Sequence, residues 1–295
     1  MTDTPPVIRR AALIARQTLP AALDTLVEAA TWLDQRGCAP VVEAFTARAA
    51  GVTERWATVA REQMASTADV VIAFGGDGTL LDAARAVANS DGDAPLLGIN
   101  LGRLGFLTEV GRAEMTSAFE AMLGGRTHVE TRLMLAGALR RDAGIPPRIV
   151  LNDIVVTRGA LSRMIEMDVR VDGQFVCYVK ADGLIVATAT GSTAYNLSAG
   201  GPIVHPSLDA LVMTPIAPHT LTNRPLVLPA SARIELHPVI EPHTELLVTF
   251  DGQIGVPLTS GDIVDVFRAE RLLRLLHTSS RTHFDMLREK LKWGN

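Results

Sequence analysis

The sequence predicts an α/β domain followed by a β-rich domain, because the spacing of its apolar residues changes part-way along the chain. In residues 1–125, short apolar runs alternate with stretches whose apolar residues share one helical face, which is typical of strands and helices that build a parallel sheet. From about residue 130 the period becomes two, as in antiparallel strands. We therefore predict a doubly wound α/β domain over residues 1–125, a β-sandwich-like domain over 126–275 and a closing helix over 276–295.

Short apolar runs and helical stripes predict the elements of the first domain. The run at 70–74 is wholly apolar, which favours a central strand buried on both faces. Other strands are expected at 11–15, 41–42 and 96–99. Helices are expected where apolar residues recur on one face, namely at Leu23, Leu26, Val27, Ala30 and Leu33, at Trp56, Val59, Ala60 and Met64, and at Leu80, Ala83, Ala84 and Val87.

Alternation and turn residues predict the elements of the second domain. Apolar and polar residues alternate from Ile165 to Val171, and Asp172-Gly173 then marks a hairpin turn before a strand at 174–179. Asp251-Gly252 marks a second turn. Further strands are expected at 149–157, 183–188, 232–236, 245–250 and 262–267, and a last helix at 281–292.

The composition favours a globular protein whose partner is a small molecule. Of its 295 residues 47% are apolar and 20% are charged, and the formal net charge is −4. No apolar run approaches the ~18–20 residues of a membrane span, and no basic stripe typical of nucleic-acid binding is present. The apolar stretch after Arg9-Arg10 ends at Arg16, which is too short for an export signal. We therefore expect a cytoplasmic protein with no membrane or nucleic-acid partner.

A glycine loop at Gly75, Gly76 and Gly78, followed by Thr79, lies between the strand at 70–74 and a predicted helix. Glycines allow a ligand close to the backbone, and a helix N-terminus favours phosphate. The sequence lacks the GxxxxGK[ST] motif of P-loop enzymes, and Leu81 stands where the dinucleotide fingerprint requires glycine. Asp77 within this loop either holds Mg²⁺ or accepts a proton from an attacking hydroxyl, and both roles indicate phosphoryl transfer. The alternative is a simple turn residue.

Two polar segments of the second half are candidates for nucleotide binding. Asn152-Asp153 interrupts an apolar run, so alternation predicts that one of the two side chains points into the core. Residues 180–202 form a strand followed by a stretch rich in hydroxyls and glycines. There Ser192 or Thr193 is expected to cap a short helix, and Tyr195 to stack on a base or donate a hydrogen bond.

Taken in order along the chain, these motifs resemble the bacterial NAD kinase family. The resemblance rests on Phe74-Gly75-Gly76-Asp77-Gly78-Thr79-Leu80-Leu81, on Leu151-Asn152-Asp153, and on Asp182-Gly183 through Thr190-Gly191-Ser192-Thr193-Ala194-Tyr195 to Gly200-Gly201-Pro202. It implies a C-terminal segment that packs back on the first domain, and a homodimer or homotetramer. It also implies NAD and ATP as substrates, with Mg²⁺ carried by ATP rather than bound at a separate protein site.

The resemblance assigns roles to individual residues. Asp77 is expected to be catalytic, and Gly75, Gly76, Gly78 and Thr79 to form the phosphate loop. The residues expected to bind NAD or ATP are Asp77, Gly78, Asn152, Asp153, Arg163, Lys180, Asp182, Thr190, Thr193, Ala194, Tyr195, Asn196, Leu197, Ser198 and Gln253. Lys180 stands where many close relatives carry arginine, so the choice between NAD and NADH stays open, as does that between ATP and polyphosphate as donor.

The function that the sequence favours is therefore that of a kinase that phosphorylates the 2′-hydroxyl of the adenosine ribose of NAD. Two alternatives share some of its features. A lipid kinase of the diacylglycerol or sphingosine type has the same glycine loop, but the segment from Thr190 to Tyr195 argues against it. A non-catalytic module that senses NAD or NADP has no need of Asp77 in the phosphate loop.

Overall fold

The computed structural model describes residues 7–142, 144–159, 164–220, 222–240, 244–278 and 281–293. Its strands are β1 Arg10–Ala15, β2 Ala39–Glu43, β3 Ala57–Val59, β4 Val70–Gly75, β5 Leu96–Asn100, β6 Val110–Gly111, β7 His128–Arg132, β8 Leu135–Leu139, β9 Arg148–Val150, β10 Asp153–Arg158, β11 Ile165–Val171, β12 Gln174–Ala181, β13 Gly183–Thr188, β14 Ala210–Ile216, β15 Leu226–Pro229, β16 Ile234–Val239, β17 Leu246–Phe250, β18 Ile254–Leu258, β19 Val264–Arg268 and β20 Leu273–His277. Its α-helices are α1 Pro20–Asp34, α2 Ala44–Ala49, α3 Met64–Thr67, α4 Asp77–Ala88, α5 Met115–Leu123, α6 Tyr195–Ser198 and α7 His283–Leu291.

The chain forms two compact units, one of residues up to Thr131 together with those from Leu273 onwards, the other of Arg132–Leu272. The first unit contains an eight-stranded sheet in the order β3-β2-β1-β4-β5-β20-β7, with β6 paired to β5. Strands β1 to β5 pair in parallel. Their order changes direction between β1 and β4, and ligands of doubly wound sheets bind at the carboxyl ends of the strands at such a point. The predicted doubly wound α/β fold is confirmed.

The first unit folds as the apolar pattern dictates, with one exception. Strand β4 is buried along its whole length, and the predicted stripe of α4, from Leu80 to Val87, faces the interior. The helix predicted from Trp56 to Met64 is wrong, because residues Ala57–Val59 form β3, which pairs in parallel with β2. Sheet pairing there outweighs a local spacing that also suits a helix.

The C-terminal segment belongs to the first unit. Strand β20 lies between β5 and β7 in its sheet, and α7 follows as predicted. Helix α7 begins at a capping box in which Thr282 Oγ1 accepts from the Asp285 amide and Asp285 Oδ2 accepts from the Thr282 amide, at 3.2 and 2.8 Å. The predicted return of this segment to the first domain is confirmed.

The second unit is an antiparallel β-sandwich, as predicted. One six-stranded sheet has the order β15-β14-β13-β10-β17-β18, and the other β12-β11-β16-β19-β8-β9. Their facing side chains form one core that includes Leu135, Ile154 and Phe250. The Asp172-Gly173 turn joins β11 to β12 with both residues at positive φ, as this hairpin turn requires. The strand predicted at 149–157 is divided into β9 and β10.

Candidate active site

The glycine loop joins the end of β4 to the start of α4. A side chain at Gly75 would place its Cβ 2.2 Å from Thr79 Oγ1, so the turn depends on glycine there. Gly76 precedes the helix in an extended conformation, and a Cβ at Gly76 would meet no atom within 4 Å. The space beside Gly76 therefore lies open at the N-terminus of α4, where the positive end of the helix dipole favours phosphate.

Asp77 is the first residue of α4, and its carboxylate accepts four hydrogen bonds from the segment 106–108. Oδ2 accepts from the Phe106 amide at 2.8 Å. Oδ1 accepts from the amides of Leu107 and Thr108 and from Thr108 Oγ1, at 3.2, 3.0 and 2.8 Å. A carboxylate oxygen offers about two lone-pair positions. Among the described residues Oδ1 accepts three bonds and Oδ2 accepts one, so Oδ2 is the better placed of the two to accept a further proton.

Residues that the sequence reasoning missed hold this arrangement. Asn100, at the end of β5, donates to Thr108 Oγ1 at 2.8 Å and to the carbonyl of Arg103 at 3.0 Å. Gly105 approaches Asp77 so closely that a Cβ there would lie 1.8 Å from Asp77 Oδ1. The sequence feature that could have identified this segment is Leu-Gly-Arg-Leu-Gly-Phe at residues 101–106, directly after the predicted strand at 96–99. Loops that follow neighbouring parallel strands meet at one edge of the sheet, which indicates a position for this loop near the glycine loop.

In the second unit, a single carboxylate supports the Asn152-Asp153 turn. Asp251 accepts hydrogen bonds from the amides of Leu151, Asn152 and Asp153 at 3.2, 2.8 and 3.3 Å. Asp251 itself lies in the predicted turn after β17, at positive φ. Asp153 is buried whereas Asn152 is half-buried, as alternation predicts. The amide of Asn152 is therefore the more accessible of the two polar groups.

Burial and the neighbouring carboxylate of Asp251 raise the pKa of Asp153 to about 7. A carboxyl group that lies only 5% exposed loses hydration when it ionises, and a second negative charge nearby adds to this penalty. Near neutral pH the Asp153 carboxyl group is therefore poised between its neutral and ionised forms. Such a group responds strongly to hydrogen-bond donors brought by a ligand.

We expect Asp153→Asn to stabilise the unliganded protein near neutral pH. The unfolded carboxyl ionises near pH 4 while the folded one stays protonated until about pH 7. The wild type therefore loses stability as pH rises through this range. Asn carries no charge, so the free energy of unfolding should rise by on the order of 1–3 kcal/mol at pH 7.5. Urea denaturation of both proteins at pH 4 and at pH 7.5 measures this difference in the free energy of unfolding. A variant that is equally destabilised at both pH values would contradict the expectation.

The segment after β13 packs tightly against the Asn152 turn. Thr188 donates its hydroxyl to the Leu151 carbonyl at 2.6 Å, and the same Oγ1 accepts from the Gly191 amide at 2.9 Å. A Cβ on Gly191 would lie 2.1 Å from the Asn152 carbonyl oxygen, so only glycine permits this approach. The structure thus brings together Asn152, Asp153 and the start of the predicted hydroxyl-rich segment, including the buried Thr190.

Two polar residues of that segment stabilise the loop from inside. Ser192 Oγ donates to the Ala189 carbonyl at 2.6 Å and accepts from the Val204 amide at 3.0 Å. Asn196 donates to the carbonyls of Ser192 and Pro202 and accepts from Thr214 Oγ1. The predicted cap by Ser192 or Thr193 is wrong, because α6 begins at Tyr195 and its N-cap residue is Ala194, with no side-chain hydrogen bond to the helix. The buried Ser192 hydroxyl instead forms its hydrogen bonds with Ala189 and Val204.

The remaining candidates of this segment face outward. Tyr195 and Ser198 are exposed, whereas Thr193, Ala194 and Leu197 are half-buried. Tyr195 leaves 46% of its surface exposed, so its ring is accessible for stacking. The side chain of Asn196 differs from these, since its amide is engaged with the loop. Asn196 is also fully buried, and its carbonyl accepts from the Gly201 amide at 2.9 Å, so the loop encloses both its side chain and its backbone.

Lys180 and Asp182 lie at the other end of β13. Lys180 Nζ lies 2.5 Å from Glu166 Oε1, and Arg158 Nε donates to Asp182 Oδ1 at 2.8 Å. Six residues of strand separate Asp182 from the loop at Thr190, which corresponds to roughly 20 Å. The second unit does not bring these two candidates next to Thr190. Gln253 is exposed in the turn after Asp251, and Arg163 lies outside the described residues.

Among the residues that the structure describes, no group of three or more His, Cys, Asp or Glu side chains is arranged to hold a metal ion. No helix in the described ranges is long and apolar enough to cross a membrane.

Comparison with known proteins relates both units to one family. The ATP-NAD kinase N-terminal domain matches residues 12–127, and the ATP-NAD kinase C-terminal domain matches residues 151–278. A curated NAD kinase of Geobacter metallireducens is 46% identical over 288 residues, which is 97% of this chain and 99% of that protein. The NAD kinase of Moorella thermoacetica is 42% identical over 287 residues, 97% of this chain and 90% of that protein.

Solved structures give the same relation. The yeast NADH kinase complexed with NADH superposes with a TM-score of 0.85 at 27% identity, covering 98% of this chain and 89% of that one. An NAD kinase from Archaeoglobus fulgidus in complex with ATP superposes with a TM-score of 0.71 at 27% identity, covering 96% and 98%. Both similarities extend over nearly the whole chain.

Proposed function

The chain belongs to the NAD kinase family, and we propose that Asp77 is the residue on which its reaction depends. The enzyme transfers the γ-phosphoryl group of ATP to the 2′-hydroxyl of the adenosine ribose of NAD, giving NADP and ADP. The observation that supports the proposed role is the geometry of the Asp77 carboxylate. Asp77 lies between Gly76 and Gly78 of the loop, and its Oδ2 accepts one hydrogen bond from the residues that the structure describes, that of the Phe106 amide.

The proposed role of Asp77 is to accept the proton of the 2′-hydroxyl. The bonds from Leu107 and Thr108 hold Oδ1 and thereby orient the carboxylate. Oδ2 keeps capacity for the hydroxyl, whose oxygen then bonds to the γ-phosphorus as the bond to the β-phosphate bridging oxygen of ATP breaks. The transition state of phosphoryl transfer is stabilised mainly by positioning and charge, so a fixed carboxylate is more useful than a mobile one.

We propose that the phosphates of ATP bind at Gly75, Gly76, Gly78 and Thr79. The open space beside Gly76 and the N-terminus of α4 support this. The use of ATP is consistent with a divalent cation, and we propose Mg²⁺ carried with the nucleotide as part of the substrate. Most acceptor positions of Asp77 are occupied by the segment 106–108, which suits an ion that takes its ligands from phosphate and water.

We propose that NAD binds to groups of the second unit. The accessible amide of Asn152 and the poised carboxyl of Asp153 are suited to hydroxyl and amide groups of the dinucleotide. The same site is proposed to be lined by Thr190, Thr193, Ala194, Tyr195, Asn196, Leu197 and Ser198. Lys180, Asp182, Gln253 and Arg163 keep their proposed binding roles, and Gly78 is proposed to contact substrate in the phosphate loop.

We further propose a homodimer or homotetramer in the cytoplasm. Strand β12 is the outermost strand of its sheet and exposes Phe175, Val176 and Tyr178, an apolar edge that association would cover. Light scattering measures the mass directly. Cys38 and Cys177 are both free, which agrees with a reducing compartment.

The reaction is tested by incubating the purified protein with ATP, Mg²⁺ and NAD. ADP release and NADP, the latter measured with an NADP-specific dehydrogenase, should appear in equal amounts. Parallel reactions with NADH and with polyphosphate decide the acceptor and the donor. A folded protein that binds NAD without releasing ADP would contradict the proposal and favour a sensing module, whereas phosphorylation of a lipid alone would favour a lipid kinase.

A further inference from the structure

The C-terminal segment of the chain contacts the segment that orients Asp77. His277, at the end of β20, places Nδ1 3.1 Å from Glu109 Oε1. Arg281 donates to the Glu109 carbonyl at 2.9 Å, and Lys290 on α7 lies over the ring of Phe106 at 5.6 Å. Glu109 directly follows Thr108. The C-terminal segment therefore contacts residues 106–109 at both ends, with Lys290 at Phe106 and with His277 and Arg281 at Glu109.

His277 is the most enclosed of these cations and lies between two carboxylates. Its Nε2 is 3.1 Å from Glu130 Oε2 on β7, while Nδ1 faces Glu109. The ring stacks on His128 with 4.8 Å between centroids. An imidazole with an acidic oxygen beside each nitrogen favours the doubly protonated, charged form. Only 13% of the His277 side chain is exposed, so solvent screens these ion pairs weakly.

The titratable and charged groups facing His277 support this state. Although burial opposes protonation, Glu109 and Glu130 outweigh it and raise the pKa of His277 to about 9. Burial and the His277 charge lower the pKa of His128, which favours the neutral form of the stacked ring. Arg281 lies on the other side of Glu109, where it donates to the Glu109 carbonyl and to Glu114 Oε1.

We propose that protonated His277 is a positioning residue for Asp77, which acts by fixing Glu109 and, through it, the donors of residues 106–108. The inference rests on the proposed role of Asp77 in the reaction. The side chain of Glu109 forms an ion pair with His277, and its carbonyl accepts a hydrogen bond from Arg281. The C-terminal segment therefore fixes the position of the backbone next to the residues that donate to Asp77. Loss of the His277 charge leaves the buried Glu109 carboxylate without its partner and frees this end of the segment.

The first test is His277→Gln, which keeps the approximate size of the side chain but removes the charge. At pH 7.5 we expect kcat to fall by on the order of 10-fold to 100-fold, with KM for NAD and for ATP changed less than about twofold, since no substrate contact is removed. Wild-type kcat should decline as pH rises through about 9, and the variant should lack this decline. His128→Gln, which removes the stacked neutral ring, is the matched control and should keep wild-type kcat.

Glu130→Gln is the second test, and it tests the positioning role of His277 even if His277→Gln does not fold. Glu130 faces Nε2 of His277, whereas Glu109 faces Nδ1, so this variant weakens the charge of His277 from the side opposite Glu109. We expect normal kcat at pH 6.5 and a decline that begins at lower pH than in the wild type. A decline at the same pH in wild type and Glu130→Gln, or unchanged kcat in folded His277→Gln, would overturn the proposal. These outcomes are distinct from failure of the proposed function, in which the wild type itself forms no NADP.

Discussion

Asp77→Asn should lower kcat for NADP formation by ~10²–10⁴-fold, the usual loss when a general base is removed. Asparagine keeps the size of aspartate and an acceptor oxygen for Thr108, but its amide nitrogen cannot accept the proton of the 2′-hydroxyl. The amide nitrogen would also face the Phe106 N–H, which now donates to Oδ2. We therefore expect a loss of stability of about 1–3 kcal/mol for the donor left without an acceptor.

The measurements are initial-rate kinetics and circular dichroism on the same preparation. Asp82→Asn on the same helix is the control, because Asp82 pairs with Arg61 and Arg85 rather than with the 106–108 segment. Its kcat should stay close to wild type. If folded Asp77→Asn retained kcat within about tenfold of wild type, Asp77 would not be the base, and its carboxylate would serve only to hold the loop.

Gly105→Ala should lower kcat by on the order of 10²-fold, because the added methyl group reaches the Asp77 carboxylate that is proposed to be the base. The added Cβ would lie 1.8 Å from Asp77 Oδ1, well inside van der Waals contact. Either Asp77 or the segment 105–108 must therefore shift, and misplacement of a reacting group by about 1 Å costs about this factor. Binding of NAD should be affected less than turnover.

Gly102→Ala provides a matched control within the same loop. A Cβ at Gly102 would meet its nearest atom, Asn100 Oδ1, at 3.9 Å, an ordinary contact. Its kcat and thermal stability should stay close to wild type. Equal kinetics for the two alanine variants would show that the close approach of Gly105 to Asp77 is not needed for turnover.

Local chemistry in the sequence was sufficient for most of the framework. The apolar run at 70–74 specified a buried strand, the glycines after it specified the turn into α4, and Asp172-Gly173 specified a hairpin. Each of these features is decided by residues that are neighbours in the chain, through backbone preferences and burial. The family resemblance carried by Asp77 and by the segment Thr190–Tyr195 likewise rests on short motifs.

Contacts between distant residues lay beyond the sequence pattern. Asp77 is oriented by residues 29 to 31 positions away, and the Asn152 turn is supported by Asp251, about 100 positions away. Nothing local to either residue reveals its partner, since strand order and register determine which loops meet. The same reason explains β3, where pairing with β2 decided against a helix.

The sequence by itself thus determined the two fold classes, the elements with clear periodicity and the position of Asp77 within a glycine turn at the start of a helix. The tertiary structure decided which polar side chains form hydrogen bonds within the loops, as those of Ser192 and Asn196 do. It also decided which side chains stay accessible to a ligand, as those of Asn152 and Tyr195 do. It further decided that Lys180 pairs with Glu166 and Asp182 with Arg158. Hydrogen bonding and burial in the folded state determine these outcomes, and the residue type alone leaves them open.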